Sequence, residues 1–272
     1  MIHGLLPVIP DFSRNDMKAL IFAAGLGTRL KPLTDTMPKA LVPVGGKPLL
    51  LRVVEKLKEA GIDDFVINVH HFADMIEEYV RDNGSFGCKV AFSDERDLLR
   101  DTGGGILHAG NLLLDGCRHD DFFLVHNVDI ISDLDIRWFC SRARQDALAV
   151  LLVSERETSR YLLFNDDMRL VGWTDVRTGE VKSPYTGLDI SRCRRYAFSG
   201  IHLVSNHIFA AMTDGTVHPL SSRQDTFGDC FSIIDFYLAA AASYHIRGIV
   251  APHLTLTDVG KPESLAAAGS ID

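Results

Sequence analysis

The sequence predicts one α/β domain built on an open, mostly parallel sheet with helices packed on both faces. Three observations carry that expectation. Short apolar, β-branched runs recur between residues 19 and 153, amphipathic helical stretches separate them, and no linker, repeat or charge block divides the 272-residue chain. Ala19–Ala24 and Phe65–Val69 read as buried strands, and Lys89–Phe92, Phe122–His126 and Ala147–Val153 continue the series. Helical spacing covers Pro48–Ala60, Ala73–Arg81, Gly105–Leu114 and Leu134–Gln145, the first starting on a proline and stopping at Gly61. After about residue 155 the pattern loosens. Tyr161–Phe164, Arg169–Trp173 and the turn-rich Asp175–Asp189 predict a small β-rich insertion over one edge of the sheet. Ala197–Val204 reads as another central strand, Phe231–Ala242 as a helix, and Ile246–Val250 and Leu254–Thr257 as late strands. Asp225–Phe231 reads as a loop with no assigned chemistry. Residues 1–16 precede the regular pattern and are expected to be an N-terminal extension, leaving 17–272 as a single domain.

Composition narrows the function classes. Apolar residues make up 46% of the chain and charged residues 24%, enough of the former to bury a core. A net charge of −8 opposes binding to nucleic acid. No apolar run approaches the roughly 20 residues that cross a bilayer. The first sixteen residues carry neither the basic stretch nor the cleavage site of a signal peptide, so no membrane partner is expected. The five cysteines, at 88, 117, 140, 193 and 230, contain no C-x-x-C and predict plain thiols in a reducing cytoplasm. His70 and His71 are adjacent on an extended segment, face opposite ways and make a poor metal pair. Self-association into a homo-oligomer is left open.

The most informative segment runs from Gly25 to Lys39, directly after the first buried strand. In an open parallel sheet, ligands bind beyond the carboxyl ends of the strands. Gly25 and Gly27 let backbone N–H groups approach a phosphate with no Cβ in the way. Arg29 and Lys39 add positive charge, and a guanidinium grips phosphate oxygens with two parallel hydrogen bonds. The loop therefore reads as a triphosphate cradle. It is neither a P-loop nor a dinucleotide fingerprint, because both require glycine where Leu30 stands.

The run Ala23-Ala24-Gly25-x-Gly27-Thr28-Arg29-x-x-Pro32-x-Thr34, followed by Pro38-Lys39, resembles the signature of the sugar-1-phosphate nucleotidyltransferases. The likeness extends from about Met17 to Glu263. It implies a Rossmann-like fold and an enzyme that joins a nucleoside triphosphate to a sugar 1-phosphate, giving an NDP-sugar and pyrophosphate. By the same resemblance, Ala24, Gly25, Gly27 and Thr28 belong to the nucleotide loop, while Arg29 and Lys39 steady the departing pyrophosphate. Gly103 and Gly104, in Asp101-Thr102-Gly103-Gly104-Gly105, are expected to meet the nucleotide base. Gly200, in Phe198-Ser199-Gly200-Ile201-His202, is expected to meet the sugar, since glycine weakens a strand unless something approaches closely. Asp129, in Asn127-Val128-Asp129, and Asp258, in Thr257-Asp258-Val259-Gly260-Lys261-Pro262-Glu263, are expected to hold Mg²⁺. Asp258 also fits a plain helix cap, Trp173 an edge aromatic and His202 an ordinary strand residue. Val128 stands where the family usually has glycine.

A sugar phosphate is largely a dianion at pH 7, because its second pKa is near 6, and it attacks the α-phosphorus without a dedicated base. The obstacle is repulsion between two polyanions, which metal and cations neutralise. The 101–105 loop looks most like that of uridylyltransferases acting on N-acetylmuramate 1-phosphate, so UTP with that sugar is the first expectation. The alternatives are mannose 1-phosphate with GTP, cytidylyl transfer to a phosphocholine-type acceptor, and a nucleotide-sugar sensor without turnover. Lys39, as a loop lysine, is expected to add little to stability.

Overall fold

A computed structural model describes residues 17–118, 121–220, 226–260 and 263–265, so the expected extension at 1–16 lies outside the described residues. In chain order the first half comprises β1 (Lys18–Phe22), a short ribbon of β2 (Pro43–Val44) and β3 (Lys47–Pro48), α1 (Leu49–Glu59), β4 (Asp64–Val69), α2 (Ala73–Asp82) and β5 (Lys89–Asp94). Helices α3 (Asp101–His108) and α4 (Gly110–Leu114) lead to β6 (Phe122–Asn127), β7 (Ile130–Ser132), α5 (Ile136–Cys140) and β8 (Ala149–Ser154). Then come β9 (Arg160–Phe164), β10 (Leu170–Asp175), β11 (Glu180–Lys182) and the long β12 (Arg194–Ser205). The chain continues through α6 (Ile208–Thr213), α7 (Ile233–Ala240), β13 (Ile246–Val250) and β14 (Leu256–Asp258).

Among the described residues the main sheet has ten strands. Its parallel block runs β6-β1-β4-β5, and β8 and β13 form a second parallel pair. Strand β12 joins the two, lying antiparallel to both β6 and β8. Its first residues also pair with β9, from which β10 and β11 continue as an antiparallel meander. That meander is the β-rich insertion expected beside the parallel sheet.

Why the first strands are so apolar is plain from the layers. Ala19 and Ile21 of β1 pack with α1, α2 and α5 on one face, while Leu20 packs with α3, α4, α6 and α7 on the other. A strand covered on both sides reads as a continuous hydrophobic run instead of an alternating one. Helix α1 buries Leu49, Leu50, Val53, Val54 and Leu57, each contributing about 2 kcal/mol. It stops before Gly61, which takes a left-handed φ of 90°.

Three elements differ from expectation. The helix expected over Leu134–Gln145 is only Ile136–Cys140: Asp135 caps its start by accepting from Trp138 N–H, and tight turns at 142 and 143 then redirect the chain toward β8. The helix expected from Gly105 starts at Asp101, so the three glycines lie inside its first turns. The last strand, β14, pairs with β7 in a separate ribbon outside the main sheet.

Two buried histidines link the core to pH. Burial pulls the pKa of His126 down to about 4 and that of His202 to about 3, with the His202 Nδ1 2.9 Å from the Tyr237 hydroxyl. Below the ordinary value of 6.5 the unfolded chain takes up protons that these rings refuse in the folded state. Stability is therefore expected to fall as the pH is lowered from 6.5 toward about 4, because the unfolded chain gains protons there that the folded chain does not. Urea unfolding at a series of pH values checks this, and a flat profile in that window would contradict it.

Candidate active site

The carboxyl ends of the parallel strands open onto a cavity of about 440 Å³. Its wall includes Ala23, Ala24 and Gly25 after β1, Asn68 in β4, Glu95 after β5, Asn127, Val128 and Asp129 at the end of β6, and Lys39. That is where an open α/β sheet receives a ligand.

The two loop glycines do different work. Gly25 is exposed, and no protein atom lies within 4 Å of the place a Cβ would occupy, so its backbone is bare toward the cavity. Gly27 sits off the cavity wall with φ 62°; a Cβ there would come within 2.8 Å of Thr34 Cγ2 and 3.1 Å of Lys39 Cβ. The Thr34 hydroxyl donates to the Gly27 carbonyl at 2.9 Å, closing the turn that brings Lys39 back to the sheet. Thr28 starts the short 3-10 turn Thr28–Leu30 and is also off the wall.

Sequence reasoning missed the groups that hold this loop. Asn68 accepts from Ala23 N–H at 2.7 Å and Ala24 N–H at 3.2 Å, then donates to Glu95 Oε1 at 2.9 Å. Glu95 is fully buried, and its other oxygen accepts from Arg100 N–H at the head of α3. A Cβ at Gly105 would stand 3.0 Å from Glu95 Oε1, so helix and carboxylate meet closely. The available signal was a lone asparagine inside the apolar run Phe65–Val69, since a buried amide must be satisfied.

The acidic and basic groups converge. Lys39 Nζ contacts Asp129 Oδ2, and the two side chains are only 10% and 20% exposed. Strand β14 lies antiparallel to β7 with Asp258 opposite Ile130, and the Val259 N–H donates to the Asp129 carbonyl at 2.8 Å. Asp258 is thus held by strand pairing beside Asp129. Its Oδ1 is buried with no hydrogen-bond partner among the described residues. The Arg29 guanidinium meets the same turn: a Cβ at Gly260 would be 2.7 Å from both Arg29 Nη2 and Asp258 Oδ1. Lys261 and Pro262 of the late motif lie outside the described residues. Two hard carboxylates, one with an unsatisfied oxygen, fit a Mg²⁺ that takes its remaining ligands from phosphate and water.

The glycines expected to meet the base have another neighbour. Gly103 and Gly104 are buried and off the cavity wall; added Cβ atoms would overlap the Phe231 ring and the Asp229 carbonyl oxygen. The Phe231 carbonyl accepts from Gly103 N–H at 2.8 Å and Gly104 N–H at 3.3 Å, capping α3. The part of the 225–231 loop that is described, residues 226–231, therefore supplies the body those glycines admit, and Asp101, Thr102 and Cys230 line the cavity in their place. Gly104→Ala is expected to lower stability by about 1–3 kcal/mol through overpacking against backbone; an unchanged melting temperature would contradict the clamp.

Gly200 has φ 74° at a bulge of β12, where a Cβ would come within 2.9 Å of Asn127 Nδ2. Its freedom lets the bulge close on the Asn127 side chain, placing Gly200 behind the cavity wall. Val128 is buried in the core on the α1 side, its N–H donating to Phe22 at 3.2 Å. His202 is the ordinary buried strand residue expected, and Trp173, half-buried, lines a neighbouring recess.

Comparison with known proteins agrees with this geometry. The nucleotidyl transferase family model matches residues 18–271. An N-acetylmuramate alpha-1-phosphate uridylyltransferase of Caulobacter vibrioides is 34% identical over 257 residues, covering 92% of this chain and 94% of that one. A mannose-1-phosphate guanyltransferase of Yarrowia lipolytica is 42% identical over 118 residues, covering 43% of this chain and 31% of that one. In fold, the chain is similar to the crystal structure of HddC from Yersinia pseudotuberculosis with GMP-PN, at TM-score 0.67 and 23% identity, covering 93% and 98% of the two chains. The chain belongs to the nucleotidyl transferase family. It is an enzyme of the sugar-1-phosphate kind that the loop signature implies.

Proposed function

We propose that this enzyme transfers a uridylyl group from UTP to N-acetylmuramate 1-phosphate with Mg²⁺ as cofactor, releasing pyrophosphate. The observation that carries the reading is the Lys39–Asp129 contact on the cavity wall, with the Asp258 turn, which Arg29 meets, joined to Asp129 by backbone pairing. The acceptor is supported by the Caulobacter relative, which aligns along nearly the whole chain. Among the described residues no helix is long and apolar enough to cross a membrane.

The chain's own groups divide the work. Gly25 offers its backbone to the phosphates, and Asn68 holds the preceding Ala23 and Ala24 N–H groups in place. Lys39 neutralises charge beside Asp129, and Arg29 stands at the Asp258 turn to receive leaving pyrophosphate. Asp129 and Asp258 would hold the Mg²⁺, which when bound offsets the charge of the reacting phosphates. No protein nucleophile is required, because the acceptor phosphate attacks directly.

A second reading, mannose 1-phosphate with GTP, draws on the Yarrowia relative, whose alignment covers under half of this chain. Pyrophosphate release across a panel of UTP, GTP, CTP and dTTP against several sugar 1-phosphates, with MgCl₂ or with EDTA, tests both. The expected maximum is UTP with N-acetylmuramate 1-phosphate, abolished by EDTA. Release with no pair at all would overturn the catalytic assignment and favour a binding module.

A further inference from the structure

Beside the nucleotide cavity lies a second recess of about 770 Å³, walled by the β9–β11 meander and α7. Asp101 lines both spaces, and the β12 bulge joins them, with Asn127 on the cavity side and Phe198 on the recess side. The recess is therefore adjacent to the space in which the sugar of a phosphate held at Asp129 would lie.

The charges there are unevenly matched. Lys182 is paired with Asp235 at 3.2 Å and lies 5.3 Å from the Trp173 ring centre. The single buried carboxylate of Asp175 serves two guanidinium groups, Arg177 at 3.2 Å and Arg160 at 3.8 Å. Arg156 donates to the Phe198 carbonyl at 3.0 Å and has no carboxylate within ion-pair distance among the described residues. Asp101 and Glu180 also line the recess and are exposed, so its four cations face four carboxylates and the imbalance is one of pairing. Arg156, held at the β12 bulge through Phe198, is therefore left without a carboxylate of its own, and Arg160 with a shared one.

We propose that this recess is a subsite for a carboxylate carried by the acceptor sugar, with Arg156 and Arg160 as the residues that select for it. The inference rests on the acceptor reading above and gives it a physical basis. The acceptor's phosphate is committed to the catalytic end, so an anion received here is a second one on the same sugar. N-acetylmuramate carries a lactyl ether carboxylate that N-acetylglucosamine lacks, and plain hexose 1-phosphates carry none. A planar guanidinium matches a carboxylate in two parallel hydrogen bonds, which a neutral hydroxyl does not reproduce.

The test compares N-acetylmuramate 1-phosphate with N-acetylglucosamine 1-phosphate as acceptors for UTP. In wild-type enzyme kcat/KM favours the carboxylated sugar. Arg156→Ala and Arg160→Ala each reduce that preference by about tenfold, through KM, the loss expected when a hydrogen bond to a charged group is removed. Arg156→Lys, which keeps the charge and loses the fork, retains more of the preference than Arg156→Ala. An unchanged ratio in the alanine variants, or equal losses with both acceptors, would overturn the subsite while leaving the acceptor reading intact. Equal losses in Arg156→Lys and Arg156→Ala would assign the effect to loop shape and also overturn it. A wild-type enzyme that uses neither acceptor would overturn the acceptor reading and the subsite with it.

Discussion

Asp258→Asn is expected to lower turnover by on the order of 10²-fold or more while leaving the melting temperature unchanged or higher. The two halves of that result come from one atom. Asp258 Oδ1 is buried with no protein partner among the described residues, an arrangement that costs stability and persists where something else uses the oxygen. Asparagine keeps the shape and removes the charge, so folding loses nothing while the oxygen donor set for a hard cation is impaired. A structural cap would give the reverse pattern, full activity with a lowered melting temperature. Asp129→Asn is expected to cost as much in turnover, yet it also disturbs the Lys39 contact, so Asp258 gives the cleaner result. Near-normal turnover of Asp258→Asn at saturating Mg²⁺ would remove this carboxylate from the mechanism.

Lys39→Ala is expected to cost both activity and about 2 kcal/mol of stability. The sequence-based expectation that a loop lysine matters little to packing fails here, because Lys39 is buried and its ammonium contacts Asp129. Removing one partner of a largely buried pair leaves the other charge uncompensated, a larger penalty than any exposed pair incurs. Lys39→Ala combined with Asp129→Asn is therefore expected to recover stability relative to Lys39→Ala alone, without recovering turnover. Denaturant unfolding together with pyrophosphate release separates the two effects. Additive stability losses in the double variant would mean that the pair is not coupled in solution.

The parts of the molecule legible in advance are those set by local chemistry. Phe65–Val69 announced a strand because both its faces are covered, and Leu49–Glu59 announced a helix through the proline before it and Gly61 after it. The Gly25 loop was legible because charge, glycine and proline fall at a specific spacing. Contacts between distant segments were not. Nothing in residues 101–105 reveals whether a ligand or Phe231 approaches the bare backbone, since glycine spacing reports that room is needed and not what fills it. Glu95 gave no signal either: an acid in a polar stretch looks solvated until Asn68 and the head of α3 enclose it. The expected helix over Leu134–Gln145 was overextended because Ile136, Phe139, Cys140 and Ala143 keep one apolar face even where the chain has already turned.

The ribbon formed by β7 and β14 has a kinetic consequence. Strands β1, β4 and β5, with the helices between them, pair with partners close in sequence, whereas β14 must find β7 across a long loop whose closure is entropically costly. During refolding from denaturant, recovery of helical circular dichroism should therefore precede the return of catalysis, which awaits arrival of the last strand. The interval between the two signals measures how slowly β14 reaches β7, and a substitution that weakens β14 pairing would lengthen it without delaying the earlier phase.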